Sequence, residues 1–139
     1  MTRLTRRYTF SASHRLHTAA MTDEENAELY GKCNNPFGHG HNYVLEVSVR
    51  GPVDAESGRV VSIGELDAYV KREVICRLDH KDMNHDVPDF AGLVPTSENL
   101  SVVVEKRLRR SWSDSFGTAL LDAVRVQETK RNLFELRDL

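Results

Sequence analysis

The chain has 139 residues and a formal net charge of −2, with 40% hydrophobic and 29% charged residues. That length suits one domain, residues 1–139, around one core, and the near-neutral balance excludes a general attraction to nucleic acid or membranes. No apolar run approaches the roughly 20 residues that cross a bilayer, MTRLTRRYTF lacks the apolar stretch of a secretory signal, and two cysteines, Cys33 and Cys76, are too few for a disulfide scaffold, so a cytoplasmic protein with free thiols is expected.

Residues 4–14 alternate, with Leu4, Arg6, Tyr8, Phe10, Ala12 and His14 on one side, which predicts a strand. Residues 17–38 show no clear period; TDEENAEL reads as a short polar helix, CNNPFGHG is rich in turn formers, and a loop of this length points to function. A second strand is predicted over about 41–50, with Tyr43, Leu45, Val47 and Val49 pointing one way. GPVDAESG then turns, and RVVSI is expected to pair back briefly. Ser62 and Glu65 have capping-box spacing ahead of a helix over about 63–76. LDHKDMNHDVPDF reads as a polar loop, and a second helix over about 97–110 turns Leu100, Val103, Val104 and Leu108 inward. Two strands, near 121–128 and 131–137, are joined by a tight turn at TKRN. The order is β-β-α-α-β-β: an α+β chain with a four-stranded antiparallel sheet and two helices on one face. Its outer strands are edges of the kind that oligomers seal by joining sheets.

His39 and His41 flank Gly40 in an extended segment, so both imidazoles face the same way. His14, on the neighbouring strand, is a third candidate; three neutral nitrogens and one open position make the pattern of a catalytic zinc site. Taken singly, His14 also suits a satisfied core position, and His17 has no supporting pattern and is expected at the surface. Cys33 has three readings: a fourth ligand closing a structural site, a small buried residue, or a base or nucleophile beside the metal, with Lys32 and a cation favouring its thiolate. Cys76 falls in the first long helix as a core or surface residue. Asp79 directly precedes His80, a pair suited to proton transfer but more simply explained, taken alone, by a histidine at a helix C-terminus; His85 reads as a loop residue. Thr96 or Ser97 caps the second helix, and these hydroxyls with Glu98 are also candidates for a ligand's polar edge. Glu128 continues the inward alternation of Val124 and Val126; a carboxylate there needs an ion pair, an exposed strand end, or a donor–donor edge such as that of a pterin.

FSASHRL, LYGKCNNPFGHGHNY, LDHKDMNHDVP, PTSEN and VQET, in that order, resemble the 6-pyruvoyl-tetrahydropterin synthase family over almost the whole chain. The resemblance implies the T-fold, with sheets joined into a barrel in a trimer and two trimers stacked as a homohexamer. It implies a zinc-dependent carbon–oxygen lyase of tetrahydrobiopterin biosynthesis that eliminates triphosphate from 7,8-dihydroneopterin triphosphate, a small-molecule substrate. It implies Zn2+ on His14, His39 and His41, Cys33 as the catalytic thiol, and Asp79 and His80 as a proton-relay pair supplied across a subunit interface. Glu128 becomes the pterin anchor, with Thr96, Ser97 and Glu98 lining the pocket. Arg15, Lys32, Lys130 and Arg131 are candidate phosphate contacts. The steps balance internally, so no nicotinamide or flavin is called for. Phe37 and ETKRN depart from the commoner family pattern, at the pocket rim and the last turn. Five residues separate Cys33 from His39, as in the pyruvoyl-forming enzymes; the related 6-carboxy-5,6,7,8-tetrahydropterin synthases of queuosine biosynthesis usually have three. That activity is the first alternative, and a non-catalytic zinc-stabilised assembly module with a closed Cys-His₃ site is the second.

Overall fold

The structure is a computed structural model that describes residues 1–137. Strands β1 (Thr2–His14), β2 (His39–Gly51), β3 (Lys81–Asp82), β4 (Leu120–Thr129) and β5 (Asn132–Arg137) form one sheet in the order β3-β1-β2-β4-β5. β1, β2, β4 and β5 are antiparallel neighbours, as the alternation predicts, but β3 joins the outer edge of β1 in parallel. The four-stranded, purely antiparallel expectation is thus corrected to a five-stranded mixed sheet. The physical reason is the edge of β1: Ser11 O accepts from His80 N at 2.6 Å and Ser13 O from Met83 N at 2.9 Å, so a segment too short and polar to show strand periodicity satisfies backbone groups that would otherwise stand open.

The helical layer is also richer than two helices. α1 (Asp23–Tyr30) is the polar helix within the long loop, closed by a capping box of Thr22 and Glu25. α2 (Ile63–Val70), capped by Ser62, runs through a π-helical turn (Lys71–Ile75) into α3 (Cys76–Leu78), so the first long helix ends two residues later than its spacing predicts. α4 (Ser97–Arg109) matches its expected span, and α5 (Trp112–Phe116), too short to show a period, turns the chain back into β4. Residues 59–63, expected to pair briefly, form no strand; Ser62 and Ile63 instead open α2.

Burial follows the alternation. Phe10 and Ala12 on β1, Tyr43, Leu45, Val47 and Val49 on β2, and Leu121, Val124 and Val126 on β4 face Leu66, Tyr69, Val70 and Val74 and the α4 residues Leu100, Val103, Val104 and Leu108. Full burial of such side chains contributes about 1.5–3 kcal/mol each, which holds the sheet against the helices. The opposite face carries cross-strand charge pairs, Arg7 with Glu46 at 2.9 Å and Arg125 with Glu46 at 3.1 Å. Among the described residues no helix is long and apolar enough to cross a membrane.

Tyr69 ties α2 to the end of α4: its hydroxyl donates to Leu108 O at 2.6 Å and accepts from Ser111 N at 3.3 Å. Tyr69→Phe should leave that buried carbonyl short of a donor and destabilise the fold by about 1–3 kcal/mol. The expected result is a lower denaturation midpoint at unchanged metal content.

Candidate metal and thiol site

The site is built at one end of the β1–β2 ladder. The antiparallel register sets His14 directly opposite His39, and His41, two residues on, opposite Ala12. Side chains two apart share a face, and His14 continues the inward face of β1, so three imidazoles converge: ring centroids lie 5.3 Å apart for His14 and His39, 4.9 Å for His14 and His41, and 4.4 Å for His39 and His41.

The thiol arrives from the loop between the strands. Cys33 lies in a 3-10 turn (Gly31–Asn34), and the loop is fastened to the chain just past His14. Leu16 N donates to Cys33 O at 2.7 Å, Asn34 Nδ2 to Leu16 O at 2.7 Å, and Arg15 Nε to Asn34 O at 3.1 Å. At the other end of the loop Gly38 has φ +72°, and a Cβ there would stand 2.8 Å from His14 O, so glycine alone lets the loop re-enter β2 against β1. The result places Cys33 Sγ 3.0 Å from His39 Nε2, and one donor atom each from His14, Cys33, His39 and His41 lies within 4.8 Å of the others.

Orientation is set from behind. His14 Nδ1 is 3.0 Å from Pro95 O. A carbonyl only accepts, so Nδ1 carries the proton and Nε2 presents its lone pair to the cluster. Burial first, then the neighbouring His41, push His14 down to about 4, with Glu128 opposing. Burial likewise lowers His41, again against Glu128. Both rings are neutral at pH 7, the form that binds metal. Glu128 Oε1 lies 3.0 Å from His41 Nε2 and 3.9 Å from His14 Nε2. These approaches are not ion pairs: neither imidazole is charged, and both Nε2 atoms are buried without a hydrogen-bond partner. Orphaned polar atoms of this kind typically cost about 1–3 kcal/mol each. A divalent cation among them would satisfy both lone pairs and face a carboxylate, so the residues present fit a metal ion.

Burial, with the Glu128 charge behind it, pushes the Cys33 thiol up, and the neighbouring Lys32 is exposed. Cys33 Sγ and His39 Nε2 share a hydrogen bond whose donor depends on the His39 tautomer; a cation held by the imidazoles would favour the thiolate.

The other candidate residues divide. Ser97 is buried and its hydroxyl donates to Glu128 Oε2 at 2.6 Å, which joins the start of α4 to the cluster. Thr96 is the N-cap, accepting from Asn99 N at 3.2 Å, and this division of labour frees Ser97. Glu98 is exposed in the first turn of α4. Asp79 Oδ1 accepts from Ser11 N at 2.9 Å, while Asp79 Oδ2 lies 3.7 Å from His80 Nε2, beyond hydrogen-bond reach. The His80 side chain is exposed, and its backbone sits at φ +59°, a left-handed conformation that costs a non-glycine residue about 1–3 kcal/mol. His80 and His41 line one cavity of about 460 Å³ with Ser11, Asn42 and Lys81. His17, expected at the surface, is half-buried against Asn34. Sequence reasoning missed Pro95, whose backbone carbonyl orients His14, and Tyr43, whose hydroxyl lies 3.3 Å from His14 Nδ1. A carbonyl leaves no trace in residue identity, whereas Tyr43 is visible as the next inward residue after His41.

The family profile described as 6-pyruvoyl tetrahydropterin synthase matches residues 3–138. The 6-pyruvoyl tetrahydrobiopterin synthase of Drosophila melanogaster is 45% identical over 134 residues, 96% of this chain and 78% of that protein. The human 6-pyruvoyl tetrahydrobiopterin synthase is 42% identical over 130 residues, 94% of this chain and 87% of that protein. The structure of Caenorhabditis elegans 6-pyruvoyl tetrahydropterin synthase superposes with a TM-score of 0.87 at 36% identity, covering 99% of this chain and 96% of that one.

His39 touches both the thiol and the imidazole cluster, so His39→Ala should weaken divalent-metal binding by more than about 100-fold. Metal analysis after dialysis should find the variant empty; full occupancy would remove His39 from the ligand set.

Proposed function

This chain belongs to the 6-pyruvoyl tetrahydropterin synthase family, and from that premise we propose that it is a zinc-dependent lyase that eliminates triphosphate from 7,8-dihydroneopterin triphosphate and leaves a 6-pyruvoyl pterin. The observation that carries the reading is the pairing of two orphaned, buried Nε2 atoms with a thiol 3.0 Å from the third imidazole. The Glu128 carboxylate held beside them by Ser97 also suits a ring with adjacent N–H donors.

In this proposal His14, His39 and His41 hold zinc and Cys33 stays off it. The chemistry that bound zinc supplies is that of a Lewis acid, which makes substrate hydroxyls and the carbon-bound protons beside them more acidic. Glu128 accepts from the N–H and NH₂ edge of the pterin; Ser97 occupies one lone pair of Oε2 and leaves the remaining carboxylate acceptor sites for the ring. Cys33 Sγ, as thiolate, takes the proton from the side-chain carbon next to the hydroxyl. The electron pair released expels triphosphate as the C–O bond breaks. Asp79 and His80 then carry the protons of two tautomerisations: the enol left by elimination becomes one ketone, and the other carbinol becomes the second as its electron pair passes to the C=N bond of the dihydropterin ring, which ends as a tetrahydropterin. The left-handed backbone of His80 lies at the wall of the cavity that also contains His41, which supports this role. The relay residues reach the reacting atoms in an assembly of three copies whose sheets join as a barrel, two such rings forming a hexamer. β5, whose outer edge has no strand partner among the described residues, is the strand that joining would cover.

Incubating the zinc-loaded protein with dihydroneopterin triphosphate and identifying every product tests the activity: a pyruvoyl pterin and inorganic triphosphate are expected, and acetaldehyde would assign the carboxy-forming reaction instead. Cys33→Ala should keep zinc and lose triphosphate release by about 10²–10⁴-fold, the usual contribution of a positioned base; loss of zinc would make Cys33 the fourth ligand of a closed site. Glu128→Gln should weaken binding of dihydroneopterin by about tenfold or more, as expected for a charged hydrogen-bond acceptor, while zinc content stays full; an unchanged affinity would take Glu128 out of the pocket.

A further inference from the structure

A second cavity, also of about 460 Å³, is lined by Arg15, His17, Phe37, Gly38, Asn84 and His85, with Asp82 shared between it and the cavity that contains His41. Its volume falls in the ~300–1,000 Å³ range of small-molecule sites. Arg15 directly follows His14 and Gly38 directly precedes His39, so this space begins one residue from two of the three imidazoles. We propose that it is the subsite for the polyphosphate tail of the substrate, with the Arg15 guanidinium as its anchor and His17 as a second donor. The inference rests on the pterin triphosphate reading above.

Arg15 is set apart by its pairing. Among the described residues the other arginines that are not exposed, Arg6, Arg107 and Arg125, each meet a carboxylate: Asp67, Asp89 and Glu46. Arg15 has no such partner. Its Nε donates to Asn34 O at 3.1 Å, which fixes the plane of the fork, and its two terminal nitrogens find no acceptor among the described residues. A half-buried guanidinium held rigid with its outer donors free is the arrangement that binds phosphate through two parallel hydrogen bonds. His17 adds to it. Asn34 Nδ2 donates to Leu16 O and so must also be the donor toward His17 Nδ1, at 3.0 Å. The proton of the neutral ring therefore sits on Nε2, which finds no acceptor among the described residues.

The acidic group of the cavity is already engaged. Asp82 Oδ1 accepts from Asn84 N at 2.9 Å and Oδ2 lies 3.2 Å from His85 Nδ1. The cavity containing His41 sets two carboxylates, Asp82 and Asp86, against one lysine, Lys81, and has no arginine. Lys32, Lys130 and Arg131, the other basic candidates, are exposed and line neither cavity.

The test compares two pterins on the zinc-loaded full chain carrying Cys33→Ala, where turnover does not obscure binding: dihydroneopterin triphosphate and dihydroneopterin, each titrated by fluorescence. The ratio of their dissociation constants reads the tail alone. Adding Arg15→Gln should shrink that ratio about tenfold, the worth of one charge-assisted contact, with dihydroneopterin affinity within about twofold and zinc content unchanged. Arg15→Lys, which keeps the charge without the fork, should recover part of the loss. An unchanged ratio in Arg15→Gln, or equal weakening of both pterins, would overturn the subsite and leave the pterin reading standing. If neither pterin binds the parent, the reading beneath it falls, and the subsite with it.

Discussion

The antiparallel pairing of β1 with β2, and the one register that sets His14 against His39, is the constraint on which the site depends. A slip of one residue would turn every side chain of one strand to the opposite face. The core forbids it, because Phe10 and Ala12 on β1 and Tyr43, Leu45, Val47 and Val49 on β2 are buried on that same face. The imidazole cluster is therefore an extension of the core: its geometry is enforced by the apolar burial that stabilises the sheet, and Tyr43, stacked on Phe10 with centroids 5.1 Å apart and 5.6 Å from the His41 ring, joins the two. No separate device is needed to bring the three rings together.

What the core cannot do is satisfy the rings it has gathered. Burial keeps His14 and His41 neutral and leaves their Nε2 atoms without partners, and the same enclosure that pushes the Cys33 and Tyr43 hydrogens toward staying on places the Glu128 carboxylate among lone pairs. This is a polar cluster that is unfavourable as an isolated arrangement and favourable around a cation, which supplies the missing positive charge and shifts the thiol in the opposite direction. Metal affinity and a shift of the thiol toward thiolate would then arise from one electrostatic deficit.

The parts legible in the sequence are those governed by periodicity. The long strands and α4 declare themselves through alternation and helical spacing, and His14, His39 and His41 could be grouped because strand residues have a predictable facing. The parts that were not legible depend on groups the sequence does not distinguish. Lys81–Asp82 becomes a strand because the edge of β1 has carbonyls to fill, and WSDSF becomes α5 through packing of Trp112 and Phe116 against Tyr69. Thr96 and Ser97 are both credible caps; only the fold shows that Thr96 takes the cap and Ser97 takes Glu128. Arg15 looks like any other arginine until the carboxylate partners of Arg6, Arg107 and Arg125 are known.

The segment between His14 and His39 is held differently from the rest of the molecule. α1 buries only Asn26, whose amide bonds to Thr18, Met21 and Thr22, and the Cys33 turn is fixed by backbone and amide contacts to Leu16 and His17. It contributes little apolar burial, so its local stability comes from hydrogen bonds, each worth only about 1 kcal/mol net. Its two ends are the paired residues His14 and His39. A cation bridging these imidazoles would clamp the loop exactly where it leaves and rejoins the sheet, and would order the turn that carries Cys33 and the Arg15 fork together. Metal binding and the positioning of the thiol would then be one equilibrium, because a site assembled by folding returns its binding free energy to the segment that completes it.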